Sequence, residues 1–229
     1  LSETHGQSKW PVVPNFAQCR EAVTTLAEVH AYWWGRSADI AIGEPPIARH
    51  EDPDHLATFF SGFVDLVGEY LSRDRREIYE RLLARVGPLV ATRLEAGHAT
   101  LRHTDSHFWN FLYPNDPSTD HCVIFDWPLW STGLAASDLA YMIALHLYPE
   151  HRERFEAPLL DEYARALGEC GVSHSLDDVW LDYRIGVIVG LLMPIMEFSW
   201  EIPPSDWMPK MEKAFGAFYD LDCEELLDG

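Results

Sequence analysis

Residues 101–127 read LRHTDSHFWNFLYPNDPSTDHCVIFDW, and the rest of the chain is organised around them. His103, Asp105, His107 and Asn110 fall within eight residues, and Asp126 follows the apolar run Cys122-Val123-Ile124-Phe125. Charges desolvated beside buried strands are costly unless something binds or neutralises them. Ala99-Thr100-Leu101 predicts a short strand, Phe111-Leu112-Tyr113 a second, and residues 121–125 a third that stops at Asp126. Pro114-Asn115-Asp116-Pro117 is the turn between the last two. A hairpin of this kind would bring Asp105, Asn110 and Asp126 to one end. Two carboxylates and an amide oxygen are hard ligands, a set that suits Mg²⁺ and leaves room for substrate phosphates.

Outward from this stretch the chain reads as helix. Asn15-Phe16-Ala17-Gln18 is a capping-box start for a helix over 16–34, with Val23, Leu26, Ala27 and His30 on one stripe. His30 is expected to be a core histidine with a satisfied ring nitrogen. Residues 36–53 form a loop with Pro45, Pro46 and Pro53. Asp54 would cap a helix over 55–71, and a third helix covers 73–95, which Pro88 should break or kink. After Asp126, residues 127–133 read as an aromatic-rich loop. Helices follow over about 137–146, 149–170 and 206–219, with one long apolar helix over 176–200. Asp138 has a plain reading as the cap of its helix. The acidic tail, 220–229, is expected to fray.

Composition bounds the function. With 229 residues, 47% apolar and 13% aromatic, the chain can bury a substantial core. Its formal net charge of -20 argues against nucleic acid and anionic membrane as partners. That charge fits a cationic substrate or a solubility device. Four cysteines lie far apart with no Cys-x-x-Cys pair, the usage of reduced thiols in a cytoplasmic protein. The most apolar run, 185–196, contains Pro194 and is too short for a membrane span.

Three linked motifs carry a resemblance: His103-Thr104-Asp105-x-His107-x-x-Asn110, then Ile124-Phe125-Asp126-Trp127, then Ser137-Asp138-Leu139-Ala140. Together they resemble the aminoglycoside phosphotransferase and ecdysteroid/choline kinase-like branch of the protein-kinase-like superfamily. The branch pattern is roughly His-Gly-Asp-x-His-x-x-Asn, Asp-Trp and Asp-Leu-Ala. The resemblance implies a mainly α (α+β) fold, the kinase-like C-terminal lobe, with a small β-hairpin carrying the catalytic loop. It implies transfer of the γ-phosphoryl group of ATP or GTP to a small-molecule alcohol. Asp105 would be the base, His103 and His107 would position its loop, and Asn110 and Asp126 would hold Mg²⁺. Asp138 would anchor the loop, and His30 lies in a Leu-Ala-x-x-His-Ala phrase similar to one on the lobe's first large helix. Thr104 stands where the family usually has Gly, and a β-branched residue would be strained if that position needs an unusual backbone angle.

No Gly-x-Gly-x-x-Gly and no Val-Ala-x-Lys is present, and only Gly6 and Gly35 precede residue 43. The expectation is therefore a single C-terminal lobe over 1–229, with 1–14 as the segment after a hinge and 98–127 as the catalytic hairpin. The ATP-grasping N-terminal lobe would be absent and activity alone low. A face left exposed would favour self-association or an N-lobe partner. Glu197, Trp200, Glu201, Asp206 and Trp207 cluster where substrate contacts are expected. Two alternatives stay open. One is a non-catalytic binding module that keeps the hairpin as architecture. The other is a metal-dependent hydrolase, with His103, Asp105 and His107 at i, i+2 and i+4 on one strand face.

Overall fold

The computed structural model describes residues 3–36, 39–40 and 52–228. Most of the expected 36–53 loop, 37–38 and 41–51, lies outside the described residues, as do Leu1 and Ser2 of the expected post-hinge segment, and Pro53 is helical rather than loop. The chain is mostly helical with two small sheets.

Asn15 starts α1 (Phe16–Trp33) through the capping box: its side chain accepts from the Gln18 N–H, and the Gln18 side chain accepts from the Asn15 N–H. The buried stripe Cys19, Val23, Leu26, Ala27 and His30 faces the core, and α1 packs on α5 (Pro149–Glu169). Asp52 rather than Asp54 caps α2 (Pro53–Val67), because Pro53 fits the first helical turn. α3 (Arg73–Glu95) has the expected span and continues through Pro88 without a break. Ala84 and Pro88 are both exposed, so the carbonyl that proline cannot serve lies on the solvent side.

The expected strands form, with different pairing. β3 (Phe111–Pro114) and β4 (Val123–Ile124) make the antiparallel hairpin, Phe111 opposite Ile124. β2 (Ala99–Arg102) is not part of it. It pairs antiparallel with β5 (Ser131–Leu134), which occupies residues expected to be loop. β1 (His5–Gly6) adds to β3, so the N-terminal segment is not wholly irregular. Neither β1 nor β5 has the β-branched, aromatic composition that signals a strand; their partners make them strands.

α4 (Ala136–Ala140) runs directly into a wide π-turn, Tyr141–Leu145. The expected single apolar helix is two, α6 (Leu176–Gly190) and α7 (Met193–Ser199). Pro194 has no N–H for the Gly190 carbonyl, and α6 stops at Gly190. The window Leu176–Ser199 is long and apolar enough to cross a membrane by composition, with mean hydropathy 1.6, yet 72% of it is packed inside the fold. α8 (Pro204–Asp220) follows, and the tail is docked rather than frayed. Its helix α9 (Glu225–Asp228) buries Leu227, Cys223 is fully buried, and Arg81 of α3 binds Glu224 and Asp228.

α6 closes tightly on α4. A Cβ at Gly186 would lie 2.5 Å from the Ala136 carbonyl oxygen, so only glycine permits this approach. The approach places Asp138 under the catalytic-type loop.

Candidate active site

Asp138 is fully buried and is an anchor rather than a helix cap; Ala135 occupies the cap position of α4. One carboxylate oxygen accepts from the backbone N–H of His103 at 2.7 Å, and the other from that of Thr104 at 2.9 Å. His30 Nε2 donates to the same carboxylate at 3.3 Å, and His30 Nδ1 lies 2.7 Å from the Tyr163 hydroxyl. Burial alone would raise the Asp138 pKa, but the His30 hydrogen bond and nearby positive charge hold it below the ordinary value. The buried carboxylate thus ties α1, the 103–105 loop and α4 together.

Thr104 does adopt the unusual conformation, φ 66°, which a β-branched side chain disfavours. Its hydroxyl donates to the Leu129 carbonyl, which couples the strained residue to the loop after Asp126. Ser106 Oγ adds a bond of 2.8 Å to the Asp138 carbonyl oxygen.

Asp105 follows and is only partly buried. Tyr141 Oη donates to Oδ1 at 2.9 Å, Asn110 Nδ2 donates to Oδ2 at 3.1 Å, and His107 Nε2 stands 3.6 Å from Oδ1. Asn110 Nδ2 also holds the Asp105 carbonyl at 2.8 Å. Tyr141 escaped the sequence reading, since no spacing rule links it to Asp105. The π-turn is what aims it there, and such turns recur at functional sites. His103 is fully buried, its Nε2 donating to the Phe125 carbonyl at 2.7 Å. Residues 103–107 are loop, so His103, Asp105 and His107 do not share a strand face, and the geometry assumed for a hydrolase metal site is not formed.

Asp126 ends the hairpin at φ 66°, exposed, one residue after the Phe125 N–H that donates to the Asn110 carbonyl at 3.1 Å. No basic side chain among the described residues pairs with it. An exposed carboxylate beside Asn110, whose Nδ2 is occupied and whose Oδ1 is the atom left for a cation, is a donor set that fits Mg²⁺.

Asp105 opens into a cavity of about 750 Å³. Thr104, His107, Tyr141 and Trp109 form one wall, Met193, Met196, Glu197 and Trp200 another, and Lys210 and Lys213 of α8 a third. Of the five residues named as expected substrate contacts, Glu197, Trp200 and Asp206 line this cavity. Two others do not. Trp207 is fully buried and its Nε1 donates to the Ile202 carbonyl at 3.0 Å, so it belongs to the core. Glu201 sits on an exposed turn at φ 60° and does not line the cavity.

The electrostatics favour uncharged histidines here. Burial lowers the pKa of His107 against the opposing pull of Asp105, and lowers that of His146 well below its ordinary value. Burial raises Glu197 despite its ion pair with Lys210. Burial, with desolvation of the charged form, also keeps Tyr141 protonated as a donor to Asp105. A second polar cluster lies elsewhere: Asp182 accepts from Arg93, and ring nitrogens of His98 and His174 lie 2.8 and 3.2 Å from it. That network clamps α3 to α6.

Comparison with known proteins bears on the family and the fold. The sequence pattern of the Phosphotransferase enzyme family (APH) matches residues 4–173. No curated protein sequence matches the chain. Among solved structures, a choline/ethanolamine kinase family protein from Mesorhizobium loti superposes with TM-score 0.53 at 14% identity, covering 92% of this chain and 64% of its own. Choline kinase LicA from Streptococcus pneumoniae superposes with TM-score 0.51 at 16% identity, covering 90% of this chain and 64% of its own. A protein from Ralstonia eutropha, assigned as an aminoglycoside phosphotransferase, gives 0.53 at 13% identity, covering 97% and 70%. The chain therefore spans 64% of the length of the two choline kinase-type structures. At such identities the likeness shows the fold, and the sequence pattern shows the rest: the chain belongs to the phosphotransferase enzyme family.

Proposed function

We propose that this chain supplies the acceptor side and the metal ligands of a reaction that moves the γ-phosphoryl group of ATP or GTP to the hydroxyl of a small molecule. The observation that carries the reading is Asp105: a carboxylate held by Tyr141 and Asn110 at the floor of a substrate-sized cavity. In that role Asp105 takes the proton of the acceptor hydroxyl as its oxygen bonds to phosphorus and the bond to the leaving nucleotide breaks. His107 and Tyr141 fix the carboxylate, and Asp138 fixes its backbone. Asn110 and Asp126 would hold Mg²⁺, which supplies charge neutralisation at the phosphates. Catalysis of this kind is mostly positioning. A glycine-rich lobe, whose motif these residues do not carry, would complete the nucleotide grip that Asn110 and Asp126 begin through Mg²⁺. Mg²⁺-ATP is therefore expected to bind this chain, while turnover by it alone is low.

Calorimetric titration of the purified chain with Mg²⁺-ATP tests the metal side. Binding that is lost in Asp126→Ala supports it, and no binding by the unaltered chain sinks it. ATP turnover well above background by this chain, abolished in Asp105→Asn, would support Asp105 as the base and refute the expected dependence on a further lobe.

A further inference from the structure

The whole chain contains three lysines, Lys9, Lys210 and Lys213, and two of them line the cavity above Asp105. In a protein of net charge -20, that placement needs a reason. Lys210 has one in the structure, since it forms an ion pair with Glu197. Lys213 does not. Its ammonium donates to the His146 carbonyl at 3.1 Å and lies 4.4 Å from the centre of the Tyr148 ring. No carboxylate among the described residues pairs with it, although acidic side chains outnumber basic ones 37 to 17. A half-buried ammonium without a counter-charge is costly.

Of the acidic groups around the cavity, Glu197 pairs with Lys210 through one oxygen and keeps Oε2 without a partner among the described residues, Asp105 receives Tyr141 and Asn110, and Asp206 is exposed at the rim. Lys213 is the cation there that no carboxylate of the described residues meets. Among the described residues no arginine lines the cavity to offer the bidentate clamp that suits phosphate, and a single ammonium matches a monoanion. The remaining walls are apolar and aromatic: Trp10, Trp109, Met193, Met196 and Trp200.

From this geometry we infer that the acceptor is a hydroxy acid, an alcohol with an apolar or aromatic body whose carboxylate pairs with Lys213 while its hydroxyl faces Asp105. This rests on the phosphotransferase reading for the role of Asp105, but the charge preference of the cavity stands apart from it. The two ends are connected through the fold. Lys213 touches the His146 carbonyl, the His146 ring stacks edge-on against Tyr141 at 4.5 Å, and Tyr141 bonds Asp105. Both ends line the same cavity. Burial and the neighbouring Lys210 lower the pKa of Lys213, a cost that a bound carboxylate would offset.

The test uses one alcohol in three charge forms: 4-(hydroxymethyl)benzoate, its neutral amide, and the trimethylammonium analogue. Affinity for the full chain is read by quenching of tryptophan fluorescence, because Trp10, Trp109 and Trp200 line the cavity. The carboxylate should bind at least about tenfold tighter than either analogue, the scale of one hydrogen-bonded charge. Lys213→Gln and Lys213→Met should both remove that preference while circular dichroism stays unchanged. Equal affinities, preference for the cation, no binding by any of the three, or a preference that survives both substitutions would overturn the inference. Mg²⁺-ATP titration of the same samples reads the phosphotransferase assignment separately. Loss of nucleotide binding with the carboxylate preference intact would sink that assignment alone.

Discussion

Replacing Asp138 by asparagine keeps the shape of the side chain and removes its charge. In the native fold the carboxylate accepts from His103 N at 2.7 Å, Thr104 N at 2.9 Å and His30 Nε2 at 3.3 Å, all buried. An asparagine has one acceptor oxygen. If that oxygen takes the place that serves His103 and His30, its amide nitrogen faces the Thr104 N–H, donor against donor. If it is turned over, two donors are stranded instead. One orphaned buried donor costs about 1–3 kcal/mol, and the loss of charge assistance in the remaining bonds adds about 1 kcal/mol. The total is about 2–4 kcal/mol. For a chain of this size each kcal/mol lowers Tm by about 2–4 °C, so Tm should fall by about 4–16 °C. Urea unfolding followed by tryptophan fluorescence measures the change directly. Thr104→Gly in the Asp138→Asn background should recover part of the loss, because glycine needs no help at φ 66°. A stability change below about 0.5 kcal/mol for Asp138→Asn, the ordinary scatter of surface substitutions, would refute the account of Asp138 as the loop's anchor.

Gly186→Ala should cost at least about 2 kcal/mol, read as a drop in urea midpoint, because its Cβ would meet the Ala136 carbonyl at 2.5 Å. His146 gives a pH signature. Burial lowers its pKa in the folded state, so below the ordinary value of 6.5 the unfolded chain binds the extra proton and stability falls with pH. His107, also lowered by burial, acts in the same direction, so His146→Gln should reduce the slope below pH 6.5 by up to about 1.4 kcal/mol per pH unit and leave the His107 part. Asp138 works in the same direction in more acid solution: its lowered pKa gives stability that is present above the ordinary value of 3.8 and lost as pH falls through the folded value. Arg81→Ala should release α9, seen as faster labelling of the buried Cys223 by a thiol reagent with little change in overall stability.

Three of the helices that the sequence marked start at local capping signals: Asn15 with Gln18, Ser72 with the Arg75 N–H, and Ser175 with the Asp178 N–H. The two prolines act differently. Pro88 lies on a solvent face where a missing bond is tolerable, while Pro194, in an apolar run, ends α6 four residues upstream. Burial separates the two cases, and burial is a tertiary property.

Chemistry-bearing residues close together in the chain were legible as a group: His103, Asp105, His107, Asn110 and Asp126 lie on one loop and one hairpin because their spacing allows little else. The sequence alone also determined that Thr104 would be under strain if the family's glycine position required a positive φ, as it does. What only the tertiary structure decided is what surrounds that group. Tyr141 reaches Asp105 because a π-turn rotates it, and Lys213 reaches the cavity because α8 crosses over the turn, more than one hundred residues along the chain. Trp207 and Glu201, close neighbours of Trp200 in sequence, point to the core and to solvent instead. Trp200 caps α7, Glu201 lies on the turn after it and Trp207 on α8, and the packing of these elements determines which of the three meets the cavity.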